Sequence, residues 1–184
     1  MASIAKQQTS ARADGIVLPL KVIVVAGAGV LILIIASFAN THEKDPSFIT
    51  VAGGWFDFNR KHDEGAEFRL EYRSNKKIWL FKPFVTSAVA SNGMTFVGAG
   101  VLIDIYLGPN WVVTPSFAVT WWQSKTKNLD LGHPIEFRSQ VEMAYRFKNK
   151  SRLGLSISHY SNAKLAKKNP GTEALMLNYS SPLN

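Results

Sequence analysis

Between Ile135 and Lys148 the side chains alternate in character. Ile135, Phe137, Val141, Met143, Tyr145 and Phe147 fall on one parity, interrupted only by Ser139. Glu136, Arg138, Gln140, Glu142, Arg146 and Lys148 fall on the other, interrupted only by Ala144. Successive side chains of a strand point to opposite faces, so a period of two predicts a strand with one apolar and one charged face. The same split recurs at Ala66, Phe68, Leu70, Tyr72 against Glu67, Arg69, Glu71, Arg73. It returns at Trp111, Val113, Pro115, Phe117, Val119, Trp121 against Val112, Thr114, Ser116, Ala118, Thr120. After Asn40 no helical period appears. Turn residues such as Asp63-Glu64-Gly65, Ser74-Asn75-Lys76, Asn92-Gly93 and Gly108-Pro109-Asn110 separate the alternating segments. Eight strands are predicted, at 47–59, 65–74, 77–91, 94–107, 111–123, 135–149, 151–161 and 173–182.

Alternation alone allows two architectures. In a soluble sandwich the apolar face forms the core and the charged face is solvated. In a membrane barrel the apolar face meets lipid and the polar face fills the lumen. The strand count and two further features favour the barrel. Trp55, Trp79, Trp111, Trp121 and Trp122 lie at or near strand ends, where interfacial girdles sit. Upstream, Val22 to Ala39 is an unbroken apolar run preceded by Lys6, Arg12 and Lys21, and it ends in Ser37-Phe38-Ala39. That layout predicts a secretory signal peptide over 1–39, cleaved after Ala39. The run is also close to bilayer-spanning length, which leaves an uncleaved membrane anchor as the rival. The expected fold is therefore all-β, an eight-stranded antiparallel transmembrane β-barrel over 40–184. Eight strands close around side chains, so no pore is expected.

Composition narrows the function. The 184-residue chain has no cysteine, which excludes disulfides, thiolate metal sites and a cysteine nucleophile. Its formal charge is +8. The cations are scattered among acids, which points to an anionic membrane surface such as lipopolysaccharide rather than to nucleic acid. His42 and His62 have no partner at metal-ligand spacing, and Gly98 and Gly100 read as close packing, not a phosphate loop. Asp57 and Asp104 read as lumenal hydrogen-bond partners, and Arg138, Glu142 and Arg146 as a lumenal ion-pair ladder.

The chemistry concentrates in Leu153 to Tyr179. Leu153, Leu155, Ile157, His159 and Ser161 share the apolar face of one strand; Glu173, Leu175, Leu177 and Tyr179 share that of the next. An antiparallel hairpin about the loop 162–172 brings 159–161 alongside 171–175. Opposed residues in such a pair have Cβ atoms about 4.5–5.5 Å apart. One rim of the apolar face thus gathers His159, Ser161 and Glu173. Serine needs an adjacent base to become a nucleophile, histidine titrates in the right range, and a carboxylate on its far nitrogen fixes the tautomer. Asn169, or backbone amides between Asn162 and Gly171, are candidate oxyanion donors. The bland reading is a polar barrel rim on which these residue types happen to fall.

These residues carry a resemblance. His159-Tyr160-Ser161-Asn162-Ala163 followed by Asn169-Pro170-Gly171 and Glu173 resembles the lipid A 3-O-deacylases of the PagL type. Gly132-His133-Pro134-Ile135-Glu136-Phe137-Arg138-Ser139 and Tyr145-Arg146-Phe147 reinforce the match, which covers about 131–182. The resemblance implies a serine esterase in the outer membrane of a Gram-negative bacterium that hydrolyses the 3-O-acyl ester of lipid A. It implies Ser161 as nucleophile, His159 as base, Glu173 as orienting acid, Asn169 at the oxyanion hole and Asn162 as a shaping residue, with no metal or organic cofactor. Lys164, Lys167 and Lys168 read as a basic rim for substrate phosphates, or else as a solvated loop. Lipid A or lipopolysaccharide is the expected partner, with a homodimer left open. Three alternatives stand beside this: a non-catalytic barrel that binds lipopolysaccharide, an esterase of glycerophospholipids, and a membrane-tethered barrel within a larger assembly.

Overall fold

The computed structural model describes residues 45–124 and 129–183, together with the backbone of two N-terminal strands, β1 (Val22–Gly27) and β2 (Val30–Ile35). These two pair antiparallel, from Val22↔Ile35 to Gly27↔Val30, in a unit of their own within 1–40. The signal peptide expected over 1–39 otherwise lies outside the described residues.

The second unit holds β3 (Ser47–Phe56), β4 (Gly65–Arg73), β5 (Lys82–Ala90), β6 (Thr95–Leu102), β7 (Ile105–Leu107), β8 (Trp111–Gln123), β9 (Ile135–Arg146), β10 (Arg152–Ser161) and β11 (Thr172–Leu183). All pairings are antiparallel, in the order β6-β5-β4-β3-β11-β10-β9-β8-β7. The sheet closes because β6 also pairs with β8, from Thr95↔Gln123 to Leu102↔Ser116. Strand β7 continues along the same edge of β8, so β6 and β7 are one stave with a break, and the barrel has eight staves. At the β6–β8 seam a Cβ on Gly98 or Gly100 would fall 2.3 Å from Val119 O or 2.1 Å from Phe117 O, so these glycines permit close approach.

Strand positions match the alternation, with two corrections. The stave expected at 94–107 is broken at Ile103-Asp104, where Asp104 joins a buried ion cluster. The stave expected from residue 77 begins at Lys82. Residues 78–81 form a separate tip instead, with Ile78 and Phe81 exchanging backbone hydrogen bonds and Trp79 at φ 59° and 80% exposed.

The two faces divide as the pattern requires. Leu153, Leu155 and Ile157 point outward with Val141, Met143, Leu175 and Leu177, while Arg152, Ser156, Ser158 and Tyr160 are buried inside. Such an apolar outer wall matches contact with hydrocarbon. Trp55, Trp111 and Trp121 are exposed near the rims, but Trp122 turns into the lumen and is not part of a girdle.

The lumen is solid and layered. At its middle, Glu71 bridges Arg138 (2.5 Å) and Arg73 (2.9 Å), Arg73 reaches Glu142 (2.7 Å), and Arg69 pairs with Glu67 (2.6 Å). Nearer the barrel end where β3 starts and β11 finishes, Asp104 and Asp45 hold Lys82 and Arg152 at 2.7–3.2 Å. Asp104, Arg138 and Glu142 thus take the lumenal roles read from the pattern, and Arg146 approaches Asp45 at 3.8 Å. At the opposite end Phe56, Met94, Phe96, Trp122, Leu129, Leu131, Tyr160 and Met176 form an apolar cap. The connections 57–64, 91–94 and 162–171 and the segment 129–134 lie at this end, and Met94, Leu129 and Leu131 are their contributions to the cap.

Candidate active site

The site stands on the hairpin of β10 and β11. Their register pairs His159 with Glu173 and Ile157 with Leu175, so parity alone turns His159 and Glu173 outward on adjacent staves. His159 Nδ1 lies 3.0 Å from Glu173 Oε1. The histidine side chain is 45% exposed and the glutamate 14%. A carboxylate on Nδ1 directs Nε2 the other way. Ser161 lies two positions further along β10 on the same face, half-buried, about 7 Å along the strand. On the other side, β9 sets Ser139 opposite His159 and Phe137 opposite Ser161, and Phe137 stacks on Phe117 at 5.8 Å.

The loop 162–171 is shaped by one asparagine. Asn162 is wholly buried; its Nδ2 donates to Leu131 O and Lys168 O, both at 2.8 Å, and its Oδ1 accepts the Lys164 amide at 3.0 Å. Its own amide donates to Asn169 Oδ1 at 3.0 Å. Pinning Asn169 by its oxygen leaves the NH2 end as the part suited to meet a substrate oxygen. Gly132, at φ +88°, packs so closely on Lys168 O that a Cβ would fall 2.1 Å from it, which docks the 129–134 segment on this loop.

Gly171 closes the floor. It adopts φ +67°, a conformation glycine takes at no steric cost. A Cβ there would also lie 2.9 Å from His159 Cε1. A larger residue at 171 would therefore press on the imidazole as well as strain the backbone.

The three lysines do not share one environment. All three are exposed, but Lys168 Nζ pairs with Asp130 at 3.1 Å across two loops. The Gly132 amide, with Lys168 beside it, holds the Asp130 carboxyl below its ordinary value. So Lys168 acts as a loop tie in this arrangement.

Two contributors lie outside the motif. Asp57, read as a lumenal partner, is buried at φ 55° and accepts from the His62 amide (2.6 Å), the Asp63 amide (2.8 Å) and Thr172 Oγ1 (2.8 Å). It folds the 57–64 loop back onto the start of β11. Arg60, on that loop, then reaches Glu173 Oε2 at 3.2 Å and donates to the Pro170 carbonyl.

A serine, a histidine and a carboxylate on one outward face, beside an anchored amide, can perform acyl transfer to water. Comparison with known proteins bears on which acyl group. The family model described as "Lipid A 3-O-deacylase (PagL)" matches residues 48–182. Among solved structures, the chain is similar to one described as "Crystal structure of the outer membrane enzyme PagL". The likeness has a TM-score of 0.59 at 18% identity and covers 74% of this chain and 99% of that one. It is also similar in fold to a chain from "De novo design of transmembrane beta-barrels", with TM-score 0.50, 13% identity, and 76% and 98% covered. No curated protein sequence matches. The homodimer left open by the sequence gains no support from these matches.

Proposed function

The chain belongs to the PagL family of lipid A 3-O-deacylases, an outer-membrane β-barrel enzyme family, and on that premise we propose that it removes the 3-O-acyl chain of lipid A with a Ser161-His159-Glu173 triad. The observation that carries this reading is the 3.0 Å contact of His159 Nδ1 with Glu173, with Ser161 on the same outward rim. His159 Nε2 takes the Ser161 proton as Oγ attacks the ester carbonyl. Glu173 steadies the imidazolium that results. The Asn169 amide stabilises the tetrahedral oxyanion. Collapse releases the sugar hydroxyl, protonated by His159, and leaves an acyl-serine. Water, activated by the same histidine, frees the fatty acid.

The location of the triad fits a substrate that never leaves the bilayer. An outward site at the rim lets an acyl chain stay against the apolar wall while its ester meets the catalytic groups. The connections from β8 to β9 and from β10 to β11, which leave the staves at the site end, are the two longest between staves, as expected of extracellular loops. Lys164 and Lys167 would then face the phosphate-rich outer leaflet. Residues 1–39 would act as the export signal, cleaved after Ala39.

The test is a substrate comparison. The mature barrel, refolded in detergent, is incubated separately with purified lipid A and with phosphatidylethanolamine. Release of a 3-hydroxy fatty acid from lipid A, with negligible hydrolysis of the phospholipid, is expected. Equal or faster phospholipid hydrolysis would replace this reading with a general esterase, and binding of lipid A without turnover would replace it with a non-catalytic barrel.

A further inference from the structure

We propose that Arg60 is the fourth member of the catalytic array, a positioning residue that fixes Glu173 and locks the 57–64 loop to the 162–171 loop. The proposal rests on the triad reading above and adds a residue outside the motif that carries it. Arg60 Nε lies 3.2 and 3.3 Å from the two Glu173 carboxylate oxygens, and Nη2 lies 3.3 Å from Oε1. Its Nη1 donates to the Pro170 carbonyl. One guanidinium thus holds both the acid and the backbone immediately before Gly171, where an added Cβ would press on the imidazole. A planar fork with several fixed donors suits this double duty, and a lysine ammonium does not.

The loop that presents Arg60 is built for it. Asp57 accepts two amides of its own loop and the Thr172 hydroxyl, so the loop is tied to the residue next to Glu173. A floppy carboxylate on a half-exposed outer rim would sample rotamers that leave the imidazole unoriented. With Oε1 shared between His159 Nδ1 and Arg60, the carboxylate has one preferred placement.

A phosphate-binding role for Arg60 is the natural rival, because its side chain is 37% exposed. The two roles separate in kinetics. Steady-state rates are measured for wild type, Arg60→Gln, Arg60→Lys, Glu173→Gln and the Arg60→Gln/Glu173→Gln double variant, on lipid A and on enzymatically dephosphorylated lipid A. Heat-modifiable migration confirms that each variant is a folded barrel. Arg60→Gln is expected to lower kcat by roughly 10²-fold on both substrates with KM little changed. Arg60→Lys recovers part of the rate. In the Glu173→Gln background, Arg60→Gln costs little more, since the two act through one contact. A loss seen as raised KM, and only on phosphorylated lipid A, overturns the proposal in favour of phosphate binding. Wild-type kinetics for Arg60→Gln beside an inactive Glu173→Gln overturns it alone. Wild-type kinetics for Glu173→Gln removes the triad reading and this proposal with it.

Discussion

Replacing His159 by glutamine is expected to reduce lipid A deacylation by roughly 10⁴- to 10⁶-fold while the barrel still folds, as removal of a triad member does in serine hydrolases. The size of the effect follows from the work assigned to one ring. In the proposed triad, loss of the imidazole leaves Ser161 without a base, the leaving sugar oxygen without an acid, and Glu173 with nothing to orient. The folding expectation follows from position. His159 is half exposed on the outer rim, and its side-chain hydrogen bond is to Glu173. Glutamine can still meet that carboxylate through its amide. The measurement is fatty-acid release beside heat-modifiable migration. Retention of even a tenth of the wild-type rate in a folded variant would mean that His159 is not the base.

The largest expected loss of stability lies in the lumen, at Glu71. This carboxylate is 3% exposed and is held by Arg138 at 2.5 Å and Arg73 at 2.9 Å. Truncation to alanine leaves Arg73 with Glu142, but it strips Arg138 of its carboxylate partner and leaves Thr86 Oγ1 at 3.3 Å. A buried cation without compensation costs about 3–5 kcal/mol. Glu71→Ala should therefore lower the urea midpoint of the detergent-folded barrel steeply. Replacing Glu71 and Arg138 together by apolar residues of similar size should cost much less, because the stranded charge goes with its partner. If the double variant is the weaker of the two, the lumenal network stabilises by attraction rather than by mutual neutralisation, and this account of it is wrong.

Much of this was legible in the chain because a lipid-facing barrel imposes one rule on every stave. In β9 the rule is almost unbroken, and Glu136, Arg138, Gln140 and Glu142 are all buried while Val141 and Met143 face out. The same parity placed His159 and Glu173 on one face, and the hairpin set them directly opposite each other. What parity cannot convey is a departure from pleating. Ile78 and Trp79 are strand-forming types, yet with Leu80 they form an exposed tip. Asp104 interrupts a stave because its carboxylate is engaged with Lys82, Arg152 and Thr114 across the lumen. Arg60 was invisible for a related reason. Its partner is 113 residues away, and an arginine in a polar turn carries no pattern that distinguishes it from its neighbours. Lys168 looked like part of a basic rim, and only the packing of two loops reveals its bond to Asp130.

The central claim is that Ser161 cleaves the 3-O-acyl ester of lipid A. Its most direct test is mass spectrometry of purified lipid A after incubation with refolded wild-type barrel and, in parallel, with Ser161→Ala. The account predicts that wild type removes the mass of one 3-hydroxyacyl chain and that Ser161→Ala, equally heat-modifiable, leaves lipid A intact. The same mass loss from both proteins would contradict the nucleophile, and no mass loss from either folded barrel would contradict the activity itself.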